Sequence, residues 1–422
     1  MKKLDFSNNK RGVLFKNTLM LYILQASTAL LAVAVAPYQS RVLGPEVFGG
    51  IFKASAAIIV YFQLIIDFGF MLSATEEVSL ERENKGRLQE IFTSVTLSKL
   101  GLAVISFALL MILSSVIPAW EHKKTVLILT FFATLLNSMI PDYLYRGLEK
   151  MTAITIRTVL IKVFFTVATF LFLKGPEDVW VIPTLNIIGN GVALIAAYVH
   201  VYKALGIGFV KPRLAAIWRE FKKSSVFFYS RIATTAYTAL NTVILDIITG
   251  SGSDTGFYTS ANQLIETGKT AVSPISDSFY PYMTKNKDFK LLKKVLLLIE
   301  PVIFVFCAVV FVFAKEFCVL FFGPEYAAAG DVLRAMLPVG VVILPSYLLG
   351  FPTLTAMGKT KHANYSTIFG SVLQFLMLGL MFLTDHVNMI TLALTVSITE
   401  TAILAYRIVI VVKNRHLMKK EN

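Results

Sequence analysis

Ten charged residues stand out within the long apolar runs of this chain. Four are basic: Lys99, Lys162, Arg231 and Lys269. Six are acidic: Asp67, Asp246, Glu266, Asp277, Glu300 and Glu400. A charge at mid-bilayer costs roughly 2.5–3.5 kcal/mol on insertion scales, so such groups tend to face a wet interior and to bind an opposite charge or relay protons. The basic set offers a cationic lining for an anionic headgroup, with Arg231 and Lys162 also close enough to their run ends to snorkel. Lys269 sits near the middle of its run, and Glu266, three residues earlier on the same helical face, is an alternative partner. Glu400 falls midway along the last run. Two readings fit it: a carboxylate that cycles its proton, or a protonated structural Glu bonded across helices. Glu300, next to Pro301, marks a distorted turn. Asp67 stands in "DFGF", near a run end.

These residues are carried by an unusually apolar chain: 422 residues, 56% hydrophobic, 16% charged, mean hydropathy +0.68. Runs near 20 apolar residues suffice to cross a bilayer. They recur at roughly 15–37, 48–72, 91–117, 125–145, 154–173, 179–201, 225–248, 255–282, 291–313, 331–356, 365–383 and 388–412. The fold class expected is an all-α polytopic membrane protein with twelve spans. The alternation of a β-barrel is absent. With the N-terminus in the cytoplasm, 29 of the 40 Lys and Arg fall on the cytoplasmic side, seven on the other and four within spans. That asymmetry places both termini in the cytoplasm, and the net charge of +14 then calls for no nucleic acid.

The chain begins with a basic lead and an apolar run ending in Ala34-Val35-Ala36, which resembles a cleavage site. Pro37 and the length of the run favour a retained first span. Cys307 and Cys318 suggest no disulfide, and five scattered histidines suggest no metal. In "SATEEVSLERENKGRLQE", Ser73 and Glu76 have capping-box spacing. Residues 203–224 form a linker in which Leu214, Ile217, Trp218 and Phe221 share a face opposite basic residues. It reads as an amphipathic interfacial helix or a plain connector.

A shift of 206 residues lays "GPEVFGGIFKASA" on "GSGSDTGFYTSAN", with Gly44 on Gly250 and Gly50 on Gly256. An even shift of six spans implies parallel repeats about the membrane normal, 1–202 and 225–422. The echo "FFGPEYAAAG" does not fit that shift.

No P-loop, Gly-x-Ser-x-Gly elbow, His-Glu-x-x-His or paired acidic metal site is present. The weak glycine pattern "GSGSDTG" has no βαβ setting. Short outer loops favour a transporter over an enzyme, with no cofactor.

The stretches "LYILQ" (Leu21–Gln25), "PYQSRVLGPEVFGG" (Pro37–Gly50), "DFGFMLSATEEVS" (Asp67–Ser79), "YRGLEKM" (Tyr145–Met151) and "FFGPEYAAAG" (Phe321–Gly330) resemble the polysaccharide-transport branch of the multidrug/oligosaccharidyl-lipid/polysaccharide exporter superfamily, and within it Wzx-type O-antigen flippases. The resemblance implies two six-helix bundles, as in multidrug exporters of that superfamily, around a central cavity with alternating access. It implies an undecaprenyl-pyrophosphate-linked oligosaccharide as substrate, moved across the bacterial inner membrane with ion or proton coupling. A polysaccharide polymerase and a chain-length regulator are implied as partners. The family's first-loop Arg and Gly map to Arg41, Gly44 and Gly50, and its span-2 Asp to Asp67. Arg146 departs from the Gln frequent in relatives. Peptidoglycan-precursor flippases usually have 14 spans, which argues against that role. A multidrug antiporter and a membrane enzyme stand as rival readings.

Overall fold

The computed structural model describes residues 34–250 and 252–418, with Met20, Ser27 and Leu31. Most of the expected first span and "LYILQ" lie outside the described residues, and for Arg231 only the helical backbone is described. Among the described residues nine helices are long and apolar enough to cross a membrane, matching the second to sixth and ninth to twelfth expected runs. The seventh and eighth runs are also helical. They lie within Leu214–Thr249 and Ser253–Asn286.

The chain divides into two compact units. One holds Ser55–Ile232 with the described residues up to Leu43; the other holds Gly44–Ala54 and the chain from Ala233 onward. The division falls inside a helix, beyond the expected linker at 203–224, and it moves the first outer segment into the second unit.

In the first unit the helices are α1 (Ala54–Asp67), α2 (Phe70–Leu80), α3 (Lys85–Val116), α4 (Lys124–Met139), α5 (Asp142–Gly147), α6 (Met151–Phe172), α7 (Val181–Lys203) and the start of α8 (Leu214–Thr249). Helices α4 and α6 pack on α7, and α2 on α5. Phe70, Val78, Ile91, Phe92, Tyr143 and Val201 fill the centre. The left-handed pair Phe68 (φ 38°) and Gly69 (φ 80°) separates α1 from α2. Phe68 is wedged into α8, stacked at 4.1 Å on Phe221 and 4.4 Å on Phe228. A Cβ on Gly69 would lie 2.7 Å from the Ser224 carbonyl oxygen, so backbone meets backbone there.

This docking overturns one local expectation. Ser73 caps nothing: it lies inside α2 and its hydroxyl shares a 2.6 Å hydrogen bond with Ser224. The expected linker is helical in its second half. Its helical part starts at Leu214 and continues unbroken into the seventh run. Its buried face carries Ala216, Glu220 and Ser224, while Leu214 and Trp218 are exposed, because Glu220 is drawn toward Arg87.

The second unit contains the π-helical turn Glu46–Lys53, the rest of α8, α9 (Ser253–Asn286), α10 (Phe289–Val312), α11 (Ala314–Phe322), α12 (Ala329–Leu348), α13 (Thr360–Leu383) and α14 (Met389–Lys413). Helix α12 is central, packing on α9, α10, α11 and α14. The π-helical turn lies on α9, where a Cβ on Gly49 would sit 1.9 Å from the Gly256 Cα. Gly44 (φ 70°) and Gly250 (φ 63°), aligned by the 206-residue shift, both take left-handed backbone. The two Gly-Pro-Glu segments meet in space, with the Glu325 carboxylate 3.1 Å from where a Gly44 Cβ would be.

Candidate functional site

Four of the charged residues singled out by their cost form two buried ion pairs, one in each unit. In the first unit, Lys99 on α3 is 2% exposed. Its Nζ donates to Asp67 Oδ1 at 3.0 Å and to the Ser138 carbonyl at 2.6 Å. Asp67 is the last residue of α1, and Ser138 lies in the last turn of α4. Helix ends leave carbonyls without intrahelical partners and favour a cation, so Lys99 joins two helix ends and neutralises a carboxylate. Two of its three N–H groups are used inside the unit.

In the second unit, Lys269 on α9 donates to Glu400 Oε1 on α14 at 3.1 Å and lies 3.0 Å from Glu266 Oε1 one turn earlier. Glu400 is buried, whereas the Glu266 side chain is half exposed. Two carboxylates on one ammonium give the triad a formal charge of −1. The triad borders a cavity of about 20 Å³, enough for about one water molecule. Tyr258, Asn262, Gln374, Val396 and Thr399 complete its lining.

A buried hydrogen-bond network sits against this cavity. Gln374 Nε2 donates to Asn241 Oδ1 at 3.0 Å and Thr395 Oγ1 at 2.9 Å, and its Oε1 accepts from Thr399 Oγ1 at 2.6 Å. Asn241 Nδ2 donates to Tyr258 Oη at 3.1 Å. Thus α8, α9, α13 and α14 are tied together beside Glu400. In a low-dielectric interior such a network rigidifies its surroundings only if every member is satisfied, and the Gln374 side chain has both ends engaged. The arrangement can exchange a proton or hold a small cation: the site offers carboxylate oxygens, a hydroxyl-lined wall and room for one small guest.

The other expected site residues are dispersed. Arg41 is exposed in the first unit. Lys162 is half-buried on α6 and makes no ion pair among the described residues. The Arg231 side chain lies outside the described residues. Glu300 on α10 has a buried Oε2 with no hydrogen-bond partner among the described residues. Gly44 and Gly250 shape turns, Gly50 is buried in the π-helical turn, and Gly256 faces the Pro45 carbonyl, 2.0 Å from where its Cβ would lie. Among the described residues no three His, Cys, Asp or Glu side chains gather to hold a metal.

Sequence reading missed several residues. Gln374 and Asn241 were visible as amides inside apolar runs. Arg407, expected at a basic chain end, is buried on α14 and donates to Ser366 Oγ at 2.9 Å and the Ser346 carbonyl at 2.7 Å. In the first unit Arg87 bridges Glu77, Glu90 and Glu220, joined by Arg219 and Lys223. Burial and the neighbouring Glu77 push the Glu220 carboxyl up to about 7.

Comparison with known proteins adds family and fold. The family model described as polysaccharide biosynthesis protein matches residues 14–287. A candidate O-antigen transporter of Escherichia coli (strain K12) is 27% identical over 418 residues, covering 97% of this chain and 100% of that protein. Its counterpart in Shigella dysenteriae is 27% identical over 369 residues, 86% of this chain and 91% of its own. Among solved structures, the lipid II flippase MurJ in an inward closed conformation superposes with a TM-score of 0.70 at 13% identity, over 95% of this chain and 89% of that one. An inward-facing multidrug resistance transporter of the MATE family gives 0.67 at 14% identity, over 96% and 100%.

Proposed function

This chain belongs to the polysaccharide biosynthesis protein family, and from that premise we propose that it is a flippase for a lipid-linked oligosaccharide, a transporter and not an enzyme. The substrate is an undecaprenyl-pyrophosphate-linked repeat unit of O-antigen or a similar surface polysaccharide, carried from the cytoplasmic to the periplasmic leaflet of the inner membrane by alternating access. The likeness to O-antigen transporters along nearly the whole chain supports this choice of substrate. The anionic pyrophosphate would meet basic residues such as Arg41 and Lys162 on its way. A polymerase and a chain-length regulator would receive the product.

The observation that carries the coupling proposal is Lys269 held between Glu400 and Glu266 beside a water-sized cavity. Proton or cation entry there would cancel one carboxylate charge, weaken the tie between α9 and α14, and bias the conformational equilibrium. A ligand shifts such an equilibrium only by its differential affinity for the two states. A buried carboxylate that is paired in one state and open in the other would supply that difference.

The direct test is deletion in a strain with no paralogue. Lipid-linked repeat units should accumulate on the cytoplasmic leaflet and surface polysaccharide should disappear. Normal export in that strain would refute the assignment. The multidrug-exporter-like fold favours one second reading, a small-molecule antiporter. It predicts drug sensitivity on deletion with surface polysaccharide intact.

A further inference from the structure

Helix α10 carries a charge arrangement that is unfavourable by itself. Lys290, Lys293 and Lys294 line one groove with Leu297 and Leu298, a spacing that puts all five on one helical face. Three like charges at these separations repel, and they occupy the helix start, where the macrodipole also disfavours cations. Asp288, the N-cap, is already engaged: its Oδ1 accepts from the Leu291 N–H at 2.9 Å and its Oδ2 from Tyr282 Oη at 3.2 Å. Among the described residues none of the three lysines has an ion-pair or hydrogen-bond partner.

The same face continues as bare hydrocarbon. Leu297 is 66% exposed and Leu298 69%, and the exposed Val302 and Val305 extend the stripe. The opposite face is the packed one: Leu292, Val295, Leu296, Ile299 and Ile303 lie against Leu344 and Leu348. The lysine–leucine face therefore has no protein partner within its unit. A suitable occupant has a negative head for three ammonium groups and an apolar body for the leucines directly beyond them. Ammonium groups suit a phosphate as point charges rather than as bidentate forks, and basic clusters at the end of a spanning helix attract anionic lipid.

We infer that this face of α10 is a binding site for an anionic phospholipid, with the phosphate among Lys290, Lys293 and Lys294 and the acyl chains along Leu297, Leu298 and Val302. The site is independent of the transport reading, which makes no demand on bulk phospholipid.

The test uses the full chain reconstituted in nanodiscs with equal phosphatidylglycerol and phosphatidylcholine, then extracted in mild detergent, with the retained lipids quantified. The wild type should retain phosphatidylglycerol several-fold over phosphatidylcholine. K290Q/K293Q/K294Q should lose that preference, K294Q alone should lose part of it, and K290R/K293R/K294R should keep it. K359Q/K361Q, which removes charge from another basic loop, should also keep it. Equal retention of both lipids by the wild type would overturn the site. So would an undiminished preference in a monodisperse glutamine triple variant, or an equal loss in K359Q/K361Q.

Discussion

Lys269 and Glu400 close a salt bridge of 3.1 Å between α9 and α14, and Glu266 gives the same ammonium a second, more exposed carboxylate. The two acids are therefore unequal. Removing the Glu400 charge leaves Lys269 with Glu266; removing the Lys269 charge leaves a buried carboxylate alone. Glu400→Gln should lower gradient-driven export and flatten its pH dependence while the protein still folds. Lys269→Ala should lower both export and folded yield. The measurements are transport into vesicles under an imposed pH gradient and size-exclusion profiles. An unchanged pH profile in Glu400→Gln would remove the coupling role.

The Asp67–Lys99 pair should behave as a structural tie. Breaking a buried pair from one side costs about 3–5 kcal/mol, because the remaining charge is left uncompensated. Asp67→Ala should therefore lower the thermal midpoint sharply. The double variant Asp67→Leu/Lys99→Met should recover much of the loss, since both charges go together. Thermal melts in detergent compare the three proteins. A double variant no better than the single would mean that Lys99 acts mainly through the Ser138 carbonyl.

Contact between the π-helical turn and α9 depends on hydrogen at two positions. Gly49→Ala and Gly256→Ala each place a methyl inside 2.0 Å of neighbouring backbone, which no rotamer change relieves. Both should abolish a monodisperse product. Gly101→Ala and Gly379→Ala, helical sites with nothing within 4 Å, should be neutral or stabilising by about 0.5–1 kcal/mol. Fluorescence-detected elution of the four variants decides this.

Glu220 predicts a pH dependence of stability. Its folded pKa, about 7, lies above the ordinary carboxylate value, so the folded state binds more protons than the unfolded one between the two. Its contribution is full below the unfolded pKa and is lost as pH rises through about 7. Wild-type protein should melt at a lower temperature at pH 8 than at pH 5. Glu220→Gln should reduce that difference, and an identical slope in both proteins would exclude Glu220 as the source.

The helices were readable because apolar runs long enough to cross a bilayer have few other stable forms. Charge cost likewise pointed to Lys99, Asp67, Lys269 and Glu400 one by one. Partnership was not readable: nothing in the spacing of Lys99 and Asp67, or of Lys269 and Glu400, says that one holds the other. The amphipathic pattern around Trp218 was readable, whereas the seat of Glu220 beside Arg87 is a tertiary preference that local periodicity cannot encode. Gly50 drew attention through the repeat, whereas Gly49 makes the closest approach. Adjacent glycines look alike until the partner backbone is known.

The meeting of Gly44 with Glu325 has a consequence for biogenesis. Gly44 leaves the ribosome long before Glu325 is synthesised, and at about 5–20 residues per second the interval is on the order of tens of seconds. Throughout it the segment around Gly44 lacks the neighbour it will finally touch. Its final seat is therefore taken after translation of the second half, and a nascent chain stalled before Glu325 should present this glycine-rich stretch to the insertion machinery and to proteases.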